Sequence, residues 1–290
     1  MSGKDNNHFK TREVHAGVSP DPVTGAILTP IYQTTTYVQE SVDKYLDKGY
    51  SYSRSGNPTV TALESKITAL EGGAGSLCFA TGMAATSCTI MAMVGSGDHI
   101  ILSDVVYGGT HRVSTKVLNR WGLECSFVDT ADASNVKNAI RDNTRLIFTE
   151  TPANPTLKLT DIAAVSEVAK AAGIPHVVDN TFLTPYYQRP LELGADISLH
   201  STTKFMEGHN VSVGGSITAA NREHLEKIMF VRNCLGSNMT PMVAFYTLQG
   251  VKTMSTRLEA QSANALKVAH FLETHANVDR VCSPGPVSYT

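Results

Sequence analysis

The segment 196–205 places a lysine where its amine can do cofactor chemistry. Lys204 follows a short apolar, strand-like stretch, and Ser201 and Thr203 precede it on one side of the extended chain. An amine at a strand end can form a Schiff base with a carbonyl group, and neighbouring hydroxyls can bind a phosphate. A lysine after a strand is more often a solvated surface charge, so this pattern needs support from other segments.

Two other segments end in groups that suit a charged ligand. Asp179 follows the apolar pair Val177 and Val178, where an unpaired carboxylate is costly. A cationic partner such as a protonated pyridine nitrogen would explain it, and a helix or turn cap explains it equally well. Gly82 and Met83 open a helical run after a strand, so their N–H groups can bind an anion. An ordinary helix start is the alternative for these two residues.

Three further side chains are candidates for ligand contact. Tyr107, in a Gly-rich turn, can stack on a flat heterocycle, although a buried loop tyrosine is more common. Asn154 lies between two prolines that stiffen its backbone, which otherwise form a simple turn. Arg54 is suited to bidentate phosphate binding, although surface arginines are normally only solvated.

Composition excludes several classes of protein. The chain has 290 residues, 42% of them hydrophobic and 17% charged, which is typical of a globular protein with about two domains. A net charge of −2 gives no electrostatic case for nucleic-acid binding. The five cysteines form no C-x-x-C pair and the histidines show no metal-ligand spacing, so we expect reduced thiols, a cytoplasmic location and no metal. No signal peptide or membrane span is predicted.

The order of elements predicts an α/β fold. Residues 1–57 show little periodicity and are interpreted as an N-terminal arm. Asn57 and Pro58 then start a helix whose apolar positions recur at helical spacing up to Gly72. Short strand-like runs alternate with helical runs from there, which indicates a mostly parallel sheet wrapped by helices. The predicted strands are 76–80, 99–102, 123–128, 145–149, 176–179, 197–200 and 212–219, and the predicted helices are 82–94, 110–121, 132–141 and 161–172.

The pattern changes from about residue 240. One long helical stretch, 254–274, carries Leu258, Ala265, Val268 and Leu272 on one face. We therefore divide the chain into an arm at 1–57, a cofactor-binding domain at 58–240 and the start of a C-terminal domain at 241–290. This last domain is expected to be truncated.

Five motifs occur together and in order, and they resemble one enzyme family. They are residues 52–59 (YSRSGNPT), 104–110 (DVVYGGT), 150–156 (ETPANPT), 178–182 (VDNTF) and 200–204 (HSTTK). The chain resembles the Cys/Met-metabolism enzymes that depend on pyridoxal 5′-phosphate. The resemblance extends over the whole chain from about Thr11 and implies the fold type I, aspartate aminotransferase-like architecture.

The resemblance also implies a role for each matching residue. Lys204 corresponds to the Schiff-base lysine and proton carrier, and Asp179 to the partner of the pyridine nitrogen. Tyr107 corresponds to a stacking tyrosine that can also act as a base, and Asn154 to an amide near the cofactor's phenolic oxygen and the substrate carboxylate. The phosphate would be held by Ser201, Thr203 and the N–H groups of Gly82 and Met83. Tyr52 and Arg54 would reach a neighbouring subunit's phosphate site, which implies at least a dimer, and as a whole a homotetramer.

The resemblance implies trans-sulfuration, and three functions stay open. The first is cleavage of cystathionine by a γ-lyase, favoured by residues 52–59, 106–110 and 188–191. The second is γ-replacement on an O-acylated homoserine, as in cystathionine γ-synthase or a homoserine sulfhydrylase. Gly109 stands where methionine γ-lyases have Cys, which argues against that member. The third, of another class, is an inactive truncated paralogue that only associates with full-length subunits.

Overall fold

A single seven-stranded sheet forms the centre of the protein. The computed structural model describes residues 9–45 and 47–284. The strands are β1 (Gly75–Phe79), β2 (His99–Ser103), β3 (Glu124–Val128), β4 (Thr144–Glu150), β5 (His176–Asp179), β6 (Ile197–His200) and β7 (Gly215–Ala219). Their order across the sheet is β1-β7-β6-β5-β4-β2-β3.

The strand directions place most carboxyl ends at one edge of the sheet. β6, β5, β4, β2 and β3 pair in parallel, whereas β7 is antiparallel to both β1 and β6. β1 therefore runs in the same direction as β6, and the two end at the same edge. The prediction of a mostly parallel α/β sheet is confirmed.

Ten α-helices surround the sheet in the described part of the chain. They are α1 (Phe9–His15), α2 (Pro58–Glu71), α3 (Gly82–Met93), α4 (Gly108–Arg112), α5 (Ala133–Ala139), α6 (Ile162–Ala172), α7 (Thr184–Tyr187), α8 (Arg222–Leu235), α9 (Pro241–Val251) and α10 (Met254–Glu273). A π-helical turn (Val113–Val117) and a 3-10 turn (Leu118–Trp121) continue α4, and a second 3-10 turn covers Pro190–Leu193.

Helix α2 illustrates how local sequence sets an element. The Asn57 side chain caps it by accepting a hydrogen bond from the Thr59 N–H, and Pro58 occupies its first position. Gly72 ends it with φ of 76°, a left-handed conformation that favours glycine. Val60, Leu63, Ile67 and Leu70 form its buried face, as the periodicity predicts.

Several elements differ from the sequence prediction. The arm contains the short helix α1, and α8 and α9 follow β7 where no helix was predicted. The predicted helix 110–121 begins two residues earlier, at Gly108, and changes to π and 3-10 geometry after Arg112. Strand β7 begins at Gly215 rather than at residue 212. In α10 the structure buries Met254, Ser255 and Leu258, but Val268 further along is 56% exposed.

The buried apolar residues that the structure describes form four cores, of which two are large. One core lies between the sheet and helices α3 and α8. Another joins α2, α9 and the start of α10, and includes Phe9 of α1. Helix α9 packs against α2, so residues on both sides of the predicted domain boundary at 240 contribute to this core. None of the helices formed by described residues has both the length and the apolarity needed to cross a membrane.

We predict that Asn57→Ala, which removes a buried helix cap, destabilises the protein more than removal of an exposed helix cap does. Asn57 is 2% exposed, and its side chain also donates to the Tyr32 carbonyl at 2.7 Å, so its loss leaves the buried Thr59 N–H without a partner and removes a second hydrogen bond. We expect a loss of about 2 kcal/mol in the free energy of unfolding. Asn221→Ala, which removes the exposed cap of α8, should cost about 1 kcal/mol or less. Urea unfolding measures both losses, and equal losses would contradict the prediction.

Candidate active site

A cavity of about 360 Å³ lies at the carboxyl edge of the sheet. Strand ends and the loops that follow them supply its walls. The lining residues are Thr81, Gly82, Met83, Thr86, Tyr107, Glu150, Pro152, Asn154, Asp179, Thr181, Phe182, Leu199, Ser201, Thr203, Lys204 and Val213. A cavity of this size can hold a ligand of cofactor dimensions.

The cavity brings together eight of the ten site residues predicted from sequence. They are Gly82, Met83, Tyr107, Asn154, Asp179, Ser201, Thr203 and Lys204. Tyr52 and Arg54 do not line it. Both are exposed, and the Arg54 guanidinium lies 5.4 Å from the centre of the Tyr52 ring.

The start of helix α3 forms the anion-binding wall of the cavity. The Thr81 hydroxyl caps the helix by accepting a hydrogen bond from the Ala84 N–H. The N–H groups of Gly82 and Met83 have no acceptor within the helix, because they belong to its first turn. An added Cβ at Gly82 would lie 2.7 Å from the Ser201 Cβ, so only glycine allows these two segments to approach so closely. Two free N–H groups, a helix dipole and the Ser201 hydroxyl together favour a phosphate.

Thr203 and Lys204, which follow Ser201, differ in whether their side chains are free to bind a ligand. The Thr203 hydroxyl donates to the Gly214 carbonyl at 3.1 Å and accepts from the Gly214 N–H at 3.0 Å. It is therefore already bound to the main chain. The exposed Lys204 amine forms no hydrogen bond or ion pair within the described residues. Its amine is free to react at the cavity.

Asp179 is a buried carboxylate whose charge is only partly satisfied. It is 9% exposed, and both hydrogen bonds that it accepts from described residues, from the N–H and hydroxyl of Thr181, end on Oδ1. Burial raises its pKa, while the Thr181 hydrogen bonds and then His200 lower it in part. The arrangement therefore suits a cationic ligand group, and the Thr181 contacts show that a local turn cap is present as well.

Glu150 is a second buried carboxylate beside the first. The parallel register of β4 and β5 pairs Glu150 with Asp179, so their side chains point to the same face. Burial first, and then the negative charge of Asp179, raise the pKa of Glu150 to about 7. Its carboxylate accepts hydrogen bonds from the N–H groups of Tyr107 and Asn154.

Sequence reasoning did not assign Glu150 or Thr181 to the site. A signal was available for Glu150, because it is an acidic residue that ends a buried apolar strand, as Asp179 is. Thr181 carried no such signal. Its hydroxyl links the two walls by donating to Asp179 and by accepting from the Ser201 N–H at 2.9 Å.

The residues present fit the cofactor that the sequence motifs imply. Pyridoxal 5′-phosphate carries a phosphate, an aldehyde and a basic ring nitrogen. The cavity offers an anion site at the start of α3, the unpartnered Lys204 amine, and a buried carboxylate with one oxygen free of partners from the described residues. These three groups match the three functional groups of the cofactor.

We predict that Glu150 makes the cofactor-free protein less stable as the pH rises. Its folded pKa lies above the ordinary value of 4.5, so the folded chain holds this proton more tightly than the unfolded chain does. Stability from this group is fully present below pH 4.5 and is lost as the pH rises through about 7. Glu150→Gln removes the titration, so the difference in unfolding free energy between wild type and variant should change by up to roughly 3 kcal/mol.

Urea unfolding of both proteins at pH 5 and pH 8 measures this change. The wild type should lose stability relative to Glu150→Gln between the two values. A difference that is the same at both pH values would show that Glu150 has an ordinary pKa in the folded chain.

Comparison with known proteins identifies the family. Residues 10–289 match the model of the Cys/Met metabolism PLP-dependent enzymes. The chain is 48% identical to the cystathionine γ-lyase of Bacillus subtilis (strain 168) over 95% of this chain and 72% of that protein. It is 49% identical to a probable cystathionine γ-synthase of Herpetosiphon aurantiacus over 97% of this chain and 87% of that protein.

A solved structure shows the same fold. The structure of metB from Corynebacterium glutamicum superposes with a TM-score of 0.94 at 43% identity, and covers 98% of this chain and 73% of that one. Agreement of sequence, fold and cavity chemistry leads to one conclusion: the chain belongs to the Cys/Met metabolism family of PLP-dependent enzymes.

Proposed function

We propose that this member of the trans-sulfuration enzymes cleaves cystathionine at the γ-carbon. The observation that carries the proposal is a cavity that combines a buried carboxylate, an anion-binding helix start and a lysine amine with no partner among the described residues. The choice of γ-cleavage rests on residues 52–59, 106–110 and 188–191, which resemble the γ-lyase branch, and on 48% identity to a protein named cystathionine γ-lyase.

We infer these binding roles from the geometry. The N–H groups of Gly82 and Met83 and the Ser201 hydroxyl would hold the phosphate, and Lys204 would hold the aldehyde end. Thr203 would contribute to the phosphate site by keeping Gly214 close, because its hydroxyl is bound to that residue. Asp179 would keep the ring nitrogen protonated, because a buried carboxylate and a cationic ring nitrogen stabilise each other's charged forms.

The remaining roles concern the ring and the moving protons. When bound, pyridoxal phosphate supplies an acceptor for the electrons left by the breaking of a bond at the substrate's α-carbon. Tyr107 lies on the cavity wall where its ring can stack, and its hydroxyl is available as a base. The Lys204 amine would take the α-proton and return a proton at a neighbouring carbon. Asn154 would orient the substrate through its exposed amide.

Tyr52 and Arg54 are proposed to complete the phosphate site of a neighbouring subunit. They lie outside the cavity of their own subunit, and the exposed Arg54 has no carboxylate partner in the described part of the chain. An exposed guanidinium held over an aromatic ring is suited to bind a phosphate presented by another chain. This proposal makes the enzyme an oligomer, at least a dimer.

A second candidate is γ-replacement on an O-acylated homoserine. The 49% identity to a probable cystathionine γ-synthase over 97% of this chain favours it. The two functions predict different products. γ-Cleavage of cystathionine with one water gives cysteine, 2-oxobutanoate and ammonia, whereas γ-replacement joins cysteine to the homoserine carbon chain and releases a carboxylic acid.

We predict that the protein reconstituted with pyridoxal phosphate releases 2-oxobutanoate from cystathionine. Chromatography of the keto acid separates γ-cleavage from β-cleavage, which gives pyruvate. Lys204→Ala should lower turnover at least about a thousandfold, because the general base and the attachment point are both lost. Lys170→Ala, on the exposed part of α6, is the matched control and should keep wild-type turnover.

Three outcomes would contradict the γ-lyase proposal. Pyruvate in place of 2-oxobutanoate would assign β-cleavage. Formation of cystathionine from cysteine and an O-acylated homoserine, with no cleavage, would assign the second candidate. Full turnover by Lys204→Ala would remove that lysine from the chemistry.

We also predict that two inactive variants complement each other. In a mixed oligomer of Arg54→Ala and Lys204→Ala subunits, one type of site receives Arg54 from one subunit and Lys204 from the other. Turnover should therefore reappear when the two proteins are unfolded and refolded together. Refolded parents are the control, and a mixture no more active than they are, despite subunit exchange shown by mass spectrometry, would contradict the shared site.

A further inference from the structure

Glu150 connects two loops that lie on the wall of the cofactor cavity. Its Oε2 accepts a hydrogen bond from the Tyr107 N–H at 2.6 Å, and its Oε1 accepts one from the Asn154 N–H at 3.0 Å. The first loop follows β2 and the second follows β4. The carboxylate is 6% exposed, so water does not compete well for either bond.

The side chains of Tyr107 and Asn154 depend on these main-chain bonds for their position. Both are exposed on the cavity wall, and neither side chain forms a hydrogen bond with another described residue. The Tyr107 ring passes close to Gly109, where an added Cβ would lie 2.5 Å from its Cε1. A small shift of the Tyr107 backbone would therefore move the ring against its neighbours.

Burial of the Glu150 carboxyl group costs folding free energy, and a functional role would account for that cost. Any hydrogen-bond acceptor could connect the two loops, yet the acceptor here is a carboxyl group buried beside the Asp179 carboxyl. Charged groups kept in such unfavourable surroundings are concentrated at functional sites. A bidentate carboxylate differs from a neutral amide because both of its oxygens accept, so it alone can hold two N–H groups at a fixed separation.

We propose that Glu150 is a positioning residue that sets the separation of Tyr107 and Asn154 across the cofactor cavity. This inference rests on the proposed function, in which those two side chains contact the cofactor and substrate. Glu150 itself acts through the two N–H groups that it accepts.

Two substitutions separate position from charge. Glu150→Gln keeps the size but replaces one acceptor oxygen with an NH₂ group, which would face an N–H. Glu150→Asp keeps the charge but withdraws the carboxylate by about 1.5 Å, so it cannot reach both loops. A positioning role predicts a defect in both variants, whereas a purely electrostatic role predicts a defect only in Glu150→Gln.

Glu13→Gln is a matched control outside the cavity lining. Glu13 is 3% exposed and accepts from the Ser255 N–H at 3.1 Å and from the Ser255 hydroxyl. Burial raises its pKa as well. It lies on α1 and does not line the cavity, so its loss tests the general effect of removing a buried glutamate.

The test measures the dissociation constant of pyridoxal phosphate from the cofactor-free proteins by equilibrium dialysis at pH 8. We expect both Glu150 variants to bind about tenfold more weakly or worse, and Glu13→Gln to stay within about twofold of wild type. Wild-type affinity in Glu150→Asp, or in both variants, would overturn the proposal. A wild type that binds the cofactor without cleaving cystathionine would overturn the proposed function alone.

A measurement on the wild type keeps the proposal testable if the variants do not fold. Amide hydrogen exchange of the cofactor-free protein, read by NMR, should show the Tyr107 and Asn154 amides exchanging at least about tenfold more slowly than those of Val106 and Gly108. Neither reference N–H has an acceptor in the described chain. Equal rates for the four amides would show that the Glu150 bonds do not hold the loops, and would overturn the proposal.

Discussion

Two carboxyl groups buried side by side are the constraint on which the site depends. The register of β4 and β5 fixes Glu150 beside Asp179, and neither side chain can turn to solvent without breaking its hydrogen bonds. A chain that folds with two such acids loses free energy at neutral pH. A cationic ring nitrogen bound between the sheet edge and the loops would return part of that free energy, so cofactor binding and folding are thermodynamically linked.

The wall of the cavity at the start of α3 has the complementary polarity. The start of α3 presents N–H groups that have no acceptor in the described part of the chain, and the Ser201 segment approaches it closely because residue 82 is glycine. Thr181 joins the two walls through one hydroxyl, which contacts both Asp179 and the Ser201 backbone. A ligand with a cation at one end and an anion at the other is therefore oriented by electrostatics before any covalent bond forms.

Local signals predicted much of this architecture, and long-range contacts supplied the rest. The N-cap at Asn57 and the glycine at position 72 predicted the start and end of α2, and β5 and β6 have the predicted bounds. Helix α8 was missed because it is largely polar and buries only Ile228 and Arg232, which leaves little periodicity to detect. The cavity lining could be guessed from residues that follow apolar strands. The two hydrogen bonds that Glu150 accepts could not be predicted, because one donor, the Tyr107 N–H, is 43 positions away in sequence.

The pairing of β1 with β7 has a consequence for how the protein is made on the ribosome. β1 lies at the end of the sheet, and its pairing residues Gly75 and Ala219 are separated by 144 positions (219 minus 75). At ordinary elongation rates this interval takes roughly 7 to 30 seconds. During that time the apolar strand β1 has no sheet neighbour, and its backbone edge is open to other nascent chains. The cofactor pocket is thus completed only after β7 has been synthesised, when β1 and the start of α3 take their places beside the other strands.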